Sequence, residues 1–501
     1  MRVKSVGIVD ANRHVSDYAS ALIFDTLEAW ASKNVRMDKC PILNREQPSI
    51  LLVSYHFHPS NEIGARRPTA LARFLVDKGL RVAVVSAFGG QHIEPGSQVL
   101  PGVVAVPVRR PSRTFTGAVV LLKQRFYRTK AIATVQAGAS PASPSVAEPS
   151  IPLRARVRQL YFRILYFIDE YKSWGRRAYS AAVQEGKRHP PRLILSSSPP
   201  PTVLWVGMLA ARRLRIPHIV DLRDPWTDVI ADLHPTRLRE LALARKIEGW
   251  VMRSAAAITS TGTRVAQLLM HRQPELAPKT FVVRNGYDDA VRHAPPDTGG
   301  RLAILFAGEL YLNRDPFPLL HALERLLSRP EVDAGRVRVT FMGRKTEYAG
   351  RSLVDWLEGK RCISVVKFIP SQPPEIVAEK TLESTVVLNL AQHQPLSIPA
   401  KTFEHLASGR ENLLLCEDDS ESAQLVAKIP GVLQVDPRDA EALDRVLLDL
   451  YQRHVIQGRL RAPTQQDVAA FSRTAANNAF WEIMRSIAAV EDREIAQESM
   501  C

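Results

Sequence analysis

The chain has 501 residues, 45% of them hydrophobic, which is enough for two or three domains with sizeable cores. Its four cysteines, Cys40, Cys362, Cys416 and Cys501, are scattered without a CxxC pair. This argues against a zinc site or a disulfide framework and favours a reducing compartment. No stretch reaches the roughly 18 apolar residues of a spanning helix, and the first residues lack the apolar core of a secretory signal. We therefore expect a cytoplasmic protein, with a peripheral contact at the inner face of the plasma membrane left open.

The net charge of +16 is concentrated in one part of the chain. Residues 101–200 contain 17 Lys or Arg residues against four Asp or Glu residues. A localised basic surface suggests an anionic partner, such as nucleic acid, anionic lipid head groups or lipid phosphates. A solvated basic loop would have the same composition, so this alternative stays open.

The first regular pattern begins at residue 49, after an extension of residues 1–48 to which we assign no function. A buried-strand pattern at Ser49–Ser54 is followed by a loop, a helix from Pro68 to Lys78 and a second strand at Arg81–Ser86. This order predicts a βαβ unit and therefore a parallel sheet. Gly64 lies in the loop, where it lets backbone approach a ligand, but it is not part of a GxGxxG motif.

Residues 109–177 interrupt the alternation with a basic insert and linker. Within it, residues 131–152 are rich in Ala, Ser and Pro, as flexible linkers are. Residues 153–179 then show a helical pattern that is both basic and aromatic. It suits a membrane interface, because aromatic groups enter the head-group layer while Arg contacts phosphate. A helix packed on its own domain with a basic outer face is the alternative. The predicted membrane-contact residues are Arg154, Arg156, Arg158, Phe162 and Tyr166.

The strand pattern resumes at Leu193 and leads to a polar strand end that contains Asp221, Arg223 and Asp224. These side chains are placed to order one another and bind a sugar hydroxyl, and Asp224 is a candidate base for an acceptor hydroxyl. A structural Asp–Arg pair would give the same sequence. After a linker at 294–300, a second α/β series begins.

The most informative stretch of the second series is 395–409, which follows a buried-strand pattern at 384–391. Pro399 and Gly409 mark the start and end of a helix, on which Lys401 and Glu404 lie close together. Open α/β sheets bind ligands at the carboxyl ends of their strands, where a helix N-terminus attracts phosphate. A lysine suits a diphosphate there and a carboxylate suits ribose hydroxyls. An ordinary surface Lys–Glu pair is the alternative.

Residues 398–409, IPAKTFEHLASG, resemble the nucleotide-sugar loop of family-4-type retaining glycosyltransferases of the GT-B fold. In that family two Glu residues are separated by seven others, and Glu404 matches the second. Leu396 stands where the first is expected, and Arg410 and Glu411 displace the usual Pro. These departures resemble a subgroup that acts in exopolysaccharide and O-antigen assembly.

The resemblance implies an α/β protein of the GT-B fold, with two Rossmann-like domains whose parallel sheets face each other across a cleft. It implies an acceptor domain at 49–293, a nucleotide-sugar domain at 300–463, and a C-terminal helix at 464–501 that crosses back. The expected partners are a nucleotide diphosphate sugar as co-substrate and a glycan or lipid-linked acceptor, with an anionic membrane surface possible. We expect no cofactor, no metal and no nucleic acid.

The resemblance also implies roles for individual residues. Arg314 and Lys401 would stabilise the leaving diphosphate and Asp224 would act on the acceptor, so these three are the predicted catalytic residues. The predicted nucleotide-sugar site consists of Gly64, Gly308, Gly343, Arg314, Lys401 and Glu404. The predicted acceptor side consists of His56, Arg66, Arg67, Arg223 and Asp224.

Three rival functions stay open from the sequence. The missing first Glu fits a non-catalytic GT-B scaffold that binds an anionic partner through its basic face. The charge alone fits a nucleic-acid-binding protein, although no recognition motif is present. A nucleotide-sugar epimerase shares the two-domain shape, but its catalytic acids are not evident.

Overall fold

A computed structural model describes residues 49–60, 62–109, 169, 171–228, 238–288, 300–311 and 314–498. The extension at 1–48 and the five predicted membrane-contact residues lie outside these ranges. The described residues divide into two compact units, the first within 45–221 and 226–256, and the second within 222–225 and 257–501. The domain boundaries given above stay predictions.

The first unit is built on a mainly parallel sheet. Its strands run in the order β3-β4-β2-β1-β5-β6, and only β3 is antiparallel to its neighbour. All six residues of β1 are buried, as expected for a parallel strand covered on both faces. The strands are β1 Ser49–Ser54, β2 Arg81–Ser86, β3 Gln98–Leu100, β4 Val103–Pro107, β5 Leu193–Ser197 and β6 His218–Leu222. The helices are α1 Ile63–Asp77, α2 Lys172–Arg188, α3 Thr202–Leu214 and α4 Leu238–Ser254, with a short 3-10 turn at Phe88–Gly90.

Helix α1 begins five residues earlier than the sequence predicts, at Ile63 instead of Pro68. Proline is preferred in the first turn of a helix, but its fixed φ also fits later positions at the loss of one hydrogen bond. Gly64, Arg66 and Arg67 therefore belong to the helix, and their assignment to a loop is wrong.

The second unit contains two parallel strands, β7 (Ala257–Ser260) and β8 (Thr280–Val282), which helix α5 (Thr263–Arg272) connects. It also contains a separate parallel sheet of six strands. The order of this sheet is β13-β10-β9-β14-β15-β16. Its strands are β9 Leu302–Ala307, β10 Val337–Met342, β13 Val366–Ile369, β14 Val386–Leu390, β15 Glu411–Leu415 and β16 Val432–Val435. A hairpin is formed by β11 Glu347–Tyr348 and β12 Arg351–Ser352.

Apolar side chains of this second sheet and of its helices form a large core cluster, which includes Phe306, Leu320 and Leu447, and smaller clusters that include Phe403 and Leu305. The helices are α5 Thr263–Arg272, α6 Phe317–Leu327, α7 Leu353–Leu357, α8 Pro374–Glu383, α9 Ala400–Ala407, α10 Glu421–Val426 and α11 Ala440–Tyr451. A π-helical turn at Gln452–Ile456 and 3-10 turns at Pro274–Lys279, Ala334–Arg336 and Arg361–Ser364 complete the unit before its C-terminal helices. The predicted α/β class with two parallel sheets is confirmed.

Within the described residues, the C-terminal region contains two helices with a break between them. Helix α12 spans Gln465–Val468, a 3-10 turn spans Ala469–Phe471, and α13 spans Arg473–Glu498. Backbone hydrogen bonds from Tyr287 N–H to Phe471 O (3.1 Å) and from Arg473 N–H to Tyr287 O (2.8 Å) hold the break. The sequence pattern stays helical through this break. The hydrogen bonds that interrupt the helix come from Tyr287, which is far away in sequence and leaves no local signal.

Candidate active site

The carboxyl ends of β9 and β14 lie side by side where the second sheet changes direction. From β9 the chain moves outward to β10 and β13, and it then returns to β14 on the other side of β9. Ligands of open α/β sheets bind at this kind of switch point. Gly308 follows β9 directly, and the loop after β14 leads into α9.

Helix α9 is the predicted helix of the 395–409 stretch. It spans Ala400–Ala407, and Gly409 just beyond it has a φ of +68°, the left-handed conformation that commonly ends a helix. Asn389 of β14 donates a hydrogen bond to Thr402 Oγ1 over 2.7 Å, and Phe403 and Leu406 are buried. These contacts fix the helix against the sheet and set the positions of Lys401 and Glu404.

Arg314 and Lys401 converge on Gly308. A Cβ on Gly308 would lie 3.3 Å from Arg314 Nη1 and 3.7 Å from Lys401 Nζ. Lys401 Nζ donates to the carbonyl of Ala307, the last residue of β9. The Arg314 guanidinium lies over the ring of Tyr311, 4.5 Å from its centroid. Arg314 and Lys401 thus bring two positive charges from separate segments next to Gly308. Because glycine has no side chain, space remains between the two cations.

Gly343 follows the neighbouring strand β10 and lies in the same corner, which is formed by Gly308, Arg314 and Lys401. A Cβ on Gly343 would lie 2.1 Å from the carbonyl oxygen of Gly308, so any side chain there would collide with backbone. Gly308 N–H donates to Met342 O over 2.8 Å. The two predicted glycines are therefore in direct contact, and Gly343 acts on the site through the position of Gly308.

Two further residues, His405 and Gln392, lie in this corner and were not predicted from the sequence. His405 is on α9, one turn after Lys401, and burial together with the charges of Lys401 and Arg314 lowers its pKa to about 3. Gln392, after β14, donates from Nε2 to the carbonyl of Asp315 over 2.8 Å and so holds the segment that carries Arg314. No local motif marks either residue, because each role depends on a partner far away in sequence.

Glu404 is half-buried on α9, three residues after Lys401. The other carboxylate of the corner, Glu309, is occupied by Arg344, whose Nε donates to it over 2.9 Å. Among the described residues, no group of three His, Cys, Asp or Glu side chains is arranged to hold a metal ion.

In the first unit, the predicted residues His56 and Gly64 lie together after β1. A Cβ on Gly64 would lie 3.2 Å from the imidazole carbon Cδ2 of His56. Arg66 is exposed, whereas Arg67 is buried and makes a bidentate pair with Asp221, with nitrogen–oxygen distances of 3.1 and 3.0 Å. Ser197 Oγ also donates to Asp221, over 2.7 Å. The Asp–Arg pair of this site is thus formed by Asp221 and Arg67.

The remaining acceptor-side candidates, Arg223 and Asp224, follow β6. Arg223 is buried, and its carbonyl accepts a hydrogen bond from Thr261 Oγ1 over 2.6 Å. Asp224 is exposed.

The fold was compared with known proteins. No family model and no curated protein matches the sequence. The structure is similar to sucrose-phosphate synthase from Thermosynechococcus elongatus, with a TM-score of 0.55 and 14% identity over 89% of this chain and 100% of that chain. It is also similar to α,α-trehalose 6-phosphate synthase from Burkholderia multivorans, with a TM-score of 0.54 and 14% identity over 89% and 100%. A glycosyltransferase from Rickettsia africae gives a TM-score of 0.50 and 13% identity over 91% and 99%. The chain has the GT-B fold.

Next to Leu396 of this GT-B chain, where the resemblance expects the first Glu, lies a different carboxylate, that of Glu421. Glu421 N–H donates to Pro395 O over 3.1 Å, so Glu421 lies next to Leu396. Its carboxylate, however, accepts hydrogen bonds from the backbone N–H groups of Thr263 (2.7 Å) and Arg264 (2.8 Å) at the start of α5. The carboxylate of Glu421 therefore caps a helix.

The predicted membrane contact lies outside the described residues. None of the helices in the described part of this GT-B chain is long and apolar enough to span a membrane.

Proposed function

We propose that this chain is a glycosyltransferase that moves a sugar from a nucleotide diphosphate sugar to an acceptor hydroxyl. The observation that carries the proposal is the convergence of Arg314 and Lys401 on Gly308 at the switch point of the second sheet. The fold supports it, since the similar structures are described as two sugar-phosphate synthases and a glycosyltransferase.

In the proposed reaction, the bond between the anomeric carbon and the diphosphate oxygen breaks, and its electron pair stays on the diphosphate. Arg314 and Lys401 stabilise the charge that develops there, which is usually the largest contribution to such catalysis. Because two cations perform this task, the proposed reaction needs no metal. The acceptor oxygen forms the new bond on the same face of the sugar, with retention of configuration. Its proton passes to the leaving phosphate or to the exposed carboxylate of Asp224.

The finer assignments rest on the resemblance of residues 398–409. We propose a family-4-type enzyme of the exopolysaccharide or O-antigen subgroup, in which Glu404 binds the ribose of the nucleotide. His56 and Arg66, on the first unit, would contact a glycan or lipid-linked acceptor. Arg154, Arg156 and Arg158 of the basic segment 153–179 would hold the enzyme at the anionic inner face of the plasma membrane.

One observation favours a second candidate, a non-catalytic GT-B scaffold. The carboxylate of Glu421, which lies next to Leu396, is bonded to the start of α5 and does not replace the missing first Glu. Whether or not such a scaffold binds nucleotide, it would not release nucleotide from a nucleotide sugar.

The experiment that tests the proposal is a thermal-shift screen with UDP, GDP, TDP, ADP and CDP, followed by assay of nucleotide release from the matching sugar donors. We expect one nucleotide to stabilise the protein and Lys401→Ala to abolish this shift. We also expect Lys401→Ala to lower turnover by about a hundredfold or more, the usual effect of removing one group that stabilises developing charge. Its unfolding should change little, because the lost hydrogen bond to Ala307 contributes only about 1 kcal/mol.

Lys380→Ala is the matched control. Lys380 lies on α8 of the same unit, where its Nζ pairs with Glu383 over 2.8 Å. This variant should bind nucleotide and turn over like the wild type. Nucleotide binding without any turnover would favour the scaffold, and full activity of Lys401→Ala would remove Lys401 from the site.

A further inference from the structure

His405 shares one face of α9 with Lys401. Residues four apart on a helix are neighbours on its surface, so the two side chains lie one above the other. Thr402, Phe403, Leu406 and Ala407 occupy the buried face of the same helix. His405 therefore points to the side of α9 from which Lys401 reaches the end of β9.

Three polar atoms in this corner have no partner among the described residues. They are the buried Nε of Arg314, Nδ1 of His405 and Oε1 of Gln392. Within the same residues Arg314 forms no ion pair, and its Nη1 makes only a long contact of 3.4 Å with the carbonyl of Glu309. A buried polar atom without a partner is costly, and each one in a native structure calls for an explanation such as an absent ion or ligand.

The charge state of His405 decides what it offers to such a ligand. Since its pKa is lowered to about 3 by burial and by the two nearby cations, its imidazole is neutral at neutral pH. A neutral imidazole carries one proton, and in the tautomer with that proton on Nδ1 it donates one hydrogen bond. Arg314 Nε–H is also a donor. The two unused nitrogens thus match a ligand that supplies acceptor oxygens beside two positive charges, whereas the amide oxygen of Gln392 is an acceptor for a ligand hydroxyl.

We infer that His405 is a specificity-determining contact of the nucleotide site, donating from Nδ1 to the diphosphate oxygens that Arg314 and Lys401 hold. The inference rests on the proposed function. It adds His405, a side chain of α9, to the two cations that bind the diphosphate. It predicts that His405 contributes to the affinity for a nucleoside diphosphate and not to the affinity for the nucleoside alone, because the proposed hydrogen bond is made to the diphosphate.

The test compares His405→Asn with His405→Gln. The Asn amide nitrogen takes approximately the place of Nδ1, whereas the Gln amide nitrogen takes that of Nε2. Calorimetric affinities are measured for UDP, GDP, TDP, ADP and CDP and for the five matching nucleosides. We expect His405→Gln to weaken the preferred nucleoside diphosphate about tenfold or more, the loss expected for one hydrogen bond to a charged group. His405→Asn should stay within about threefold of wild type, and nucleoside affinity should not change in either variant.

The outcomes separate this inference from the proposed function. If wild type binds a diphosphate in a Lys401-dependent manner and both variants bind it equally well, the His405 contact is wrong while the function stands. If wild type binds none of the five diphosphates, the proposed function fails and this inference with it. If both variants lose nucleoside as well as diphosphate binding, His405 has only a structural role.

Discussion

Gly308 and Gly343 are glycines for different reasons, although they touch each other. At Gly343, the collision is with a carbonyl oxygen at 2.1 Å, and a backbone atom cannot turn aside. At Gly308, the nearest atoms are the ends of the Arg314 and Phe306 side chains, each at 3.3 Å, and these are able to move. Gly343 is required by the fold, and Gly308 leaves space between Arg314 and Lys401.

This difference predicts opposite effects of one methyl group. Gly343→Ala should destabilise the protein by about 1–3 kcal/mol, as overpacking against rigid atoms does. Gly308→Ala should fold with nearly wild-type stability but bind nucleoside diphosphate more weakly, since the methyl group fills the space between Arg314 and Lys401. Thermal unfolding and calorimetric titration of both variants check this. Unchanged stability of Gly343→Ala would contradict the packing argument.

The sequence does not show which of the two adjacent arginines, Arg66 or Arg67, is buried. Adjacent residues on a helix point about 100° apart, so one of the two arginines faces the core and the other faces solvent. Which one is buried depends on where the helix lies against β6 and its Asp221. That contact joins residues far apart in sequence, and no local pattern reveals it.

At the scale of elements, short buried strands are predicted well. The bounds of β1 and β2 agree with the sequence patterns because each is a run of β-branched or aliphatic residues bounded by turns. The start of α1 and the break between α12 and α13 are missed, since proline position and distant backbone bonds decide them. For the same reason the pattern of 395–409 finds Lys401 but not His405, whose environment is set by Arg314.

Helix α5 provides the clearest element-scale prediction. Its N-cap residue is Gly262, which has no side chain, so the carboxylate of Glu421 supplies the capping oxygens to Thr263 and Arg264. A Cβ on Gly262 would lie 3.3 Å from the Glu421 carboxyl carbon, so the glycine leaves room for this approach.

Glu421→Gln should weaken this cap, because the amide loses the negative charge and one acceptor oxygen. We expect a loss of about 1 kcal/mol, typical of an impaired cap, and faster hydrogen exchange at the amides of Thr263 and Arg264. Glu441→Gln, at a side chain on α11 that is 91% exposed, is the matched control and should change neither. Unaltered exchange at both amides in Glu421→Gln would show that the carboxylate does not cap α5.

For the molecule as a whole, the basic insert of residues 109–177 is attached at a defined edge of the first sheet. β4 ends at Pro107, just before the insert, and Asp169, near the C-terminal end of the insert, accepts a hydrogen bond from Thr202 N–H, the start of α3, over 2.6 Å. Since β1, β2, β4 and β5 are parallel, both attachment points are at the carboxyl edge of the sheet. His56 and Gly64 lie at the same edge, where we propose the acceptor binds.

This arrangement predicts that binding to anionic lipid depends on the positive charge of the segment. Replacement of Arg154, Arg156 and Arg158 by Glu should lower binding to vesicles of phosphatidylglycerol and phosphatidylcholine by about a hundredfold or more, since each cation contributes about 1 kcal/mol. The measurement is cosedimentation at low and high salt. The control is replacement of Arg329, Arg336 and Arg445 by Glu, three exposed cations of the second unit that change the net charge equally. Equal loss in both triple variants would mean that net charge alone drives binding. Retained binding in the first would place the membrane contact elsewhere.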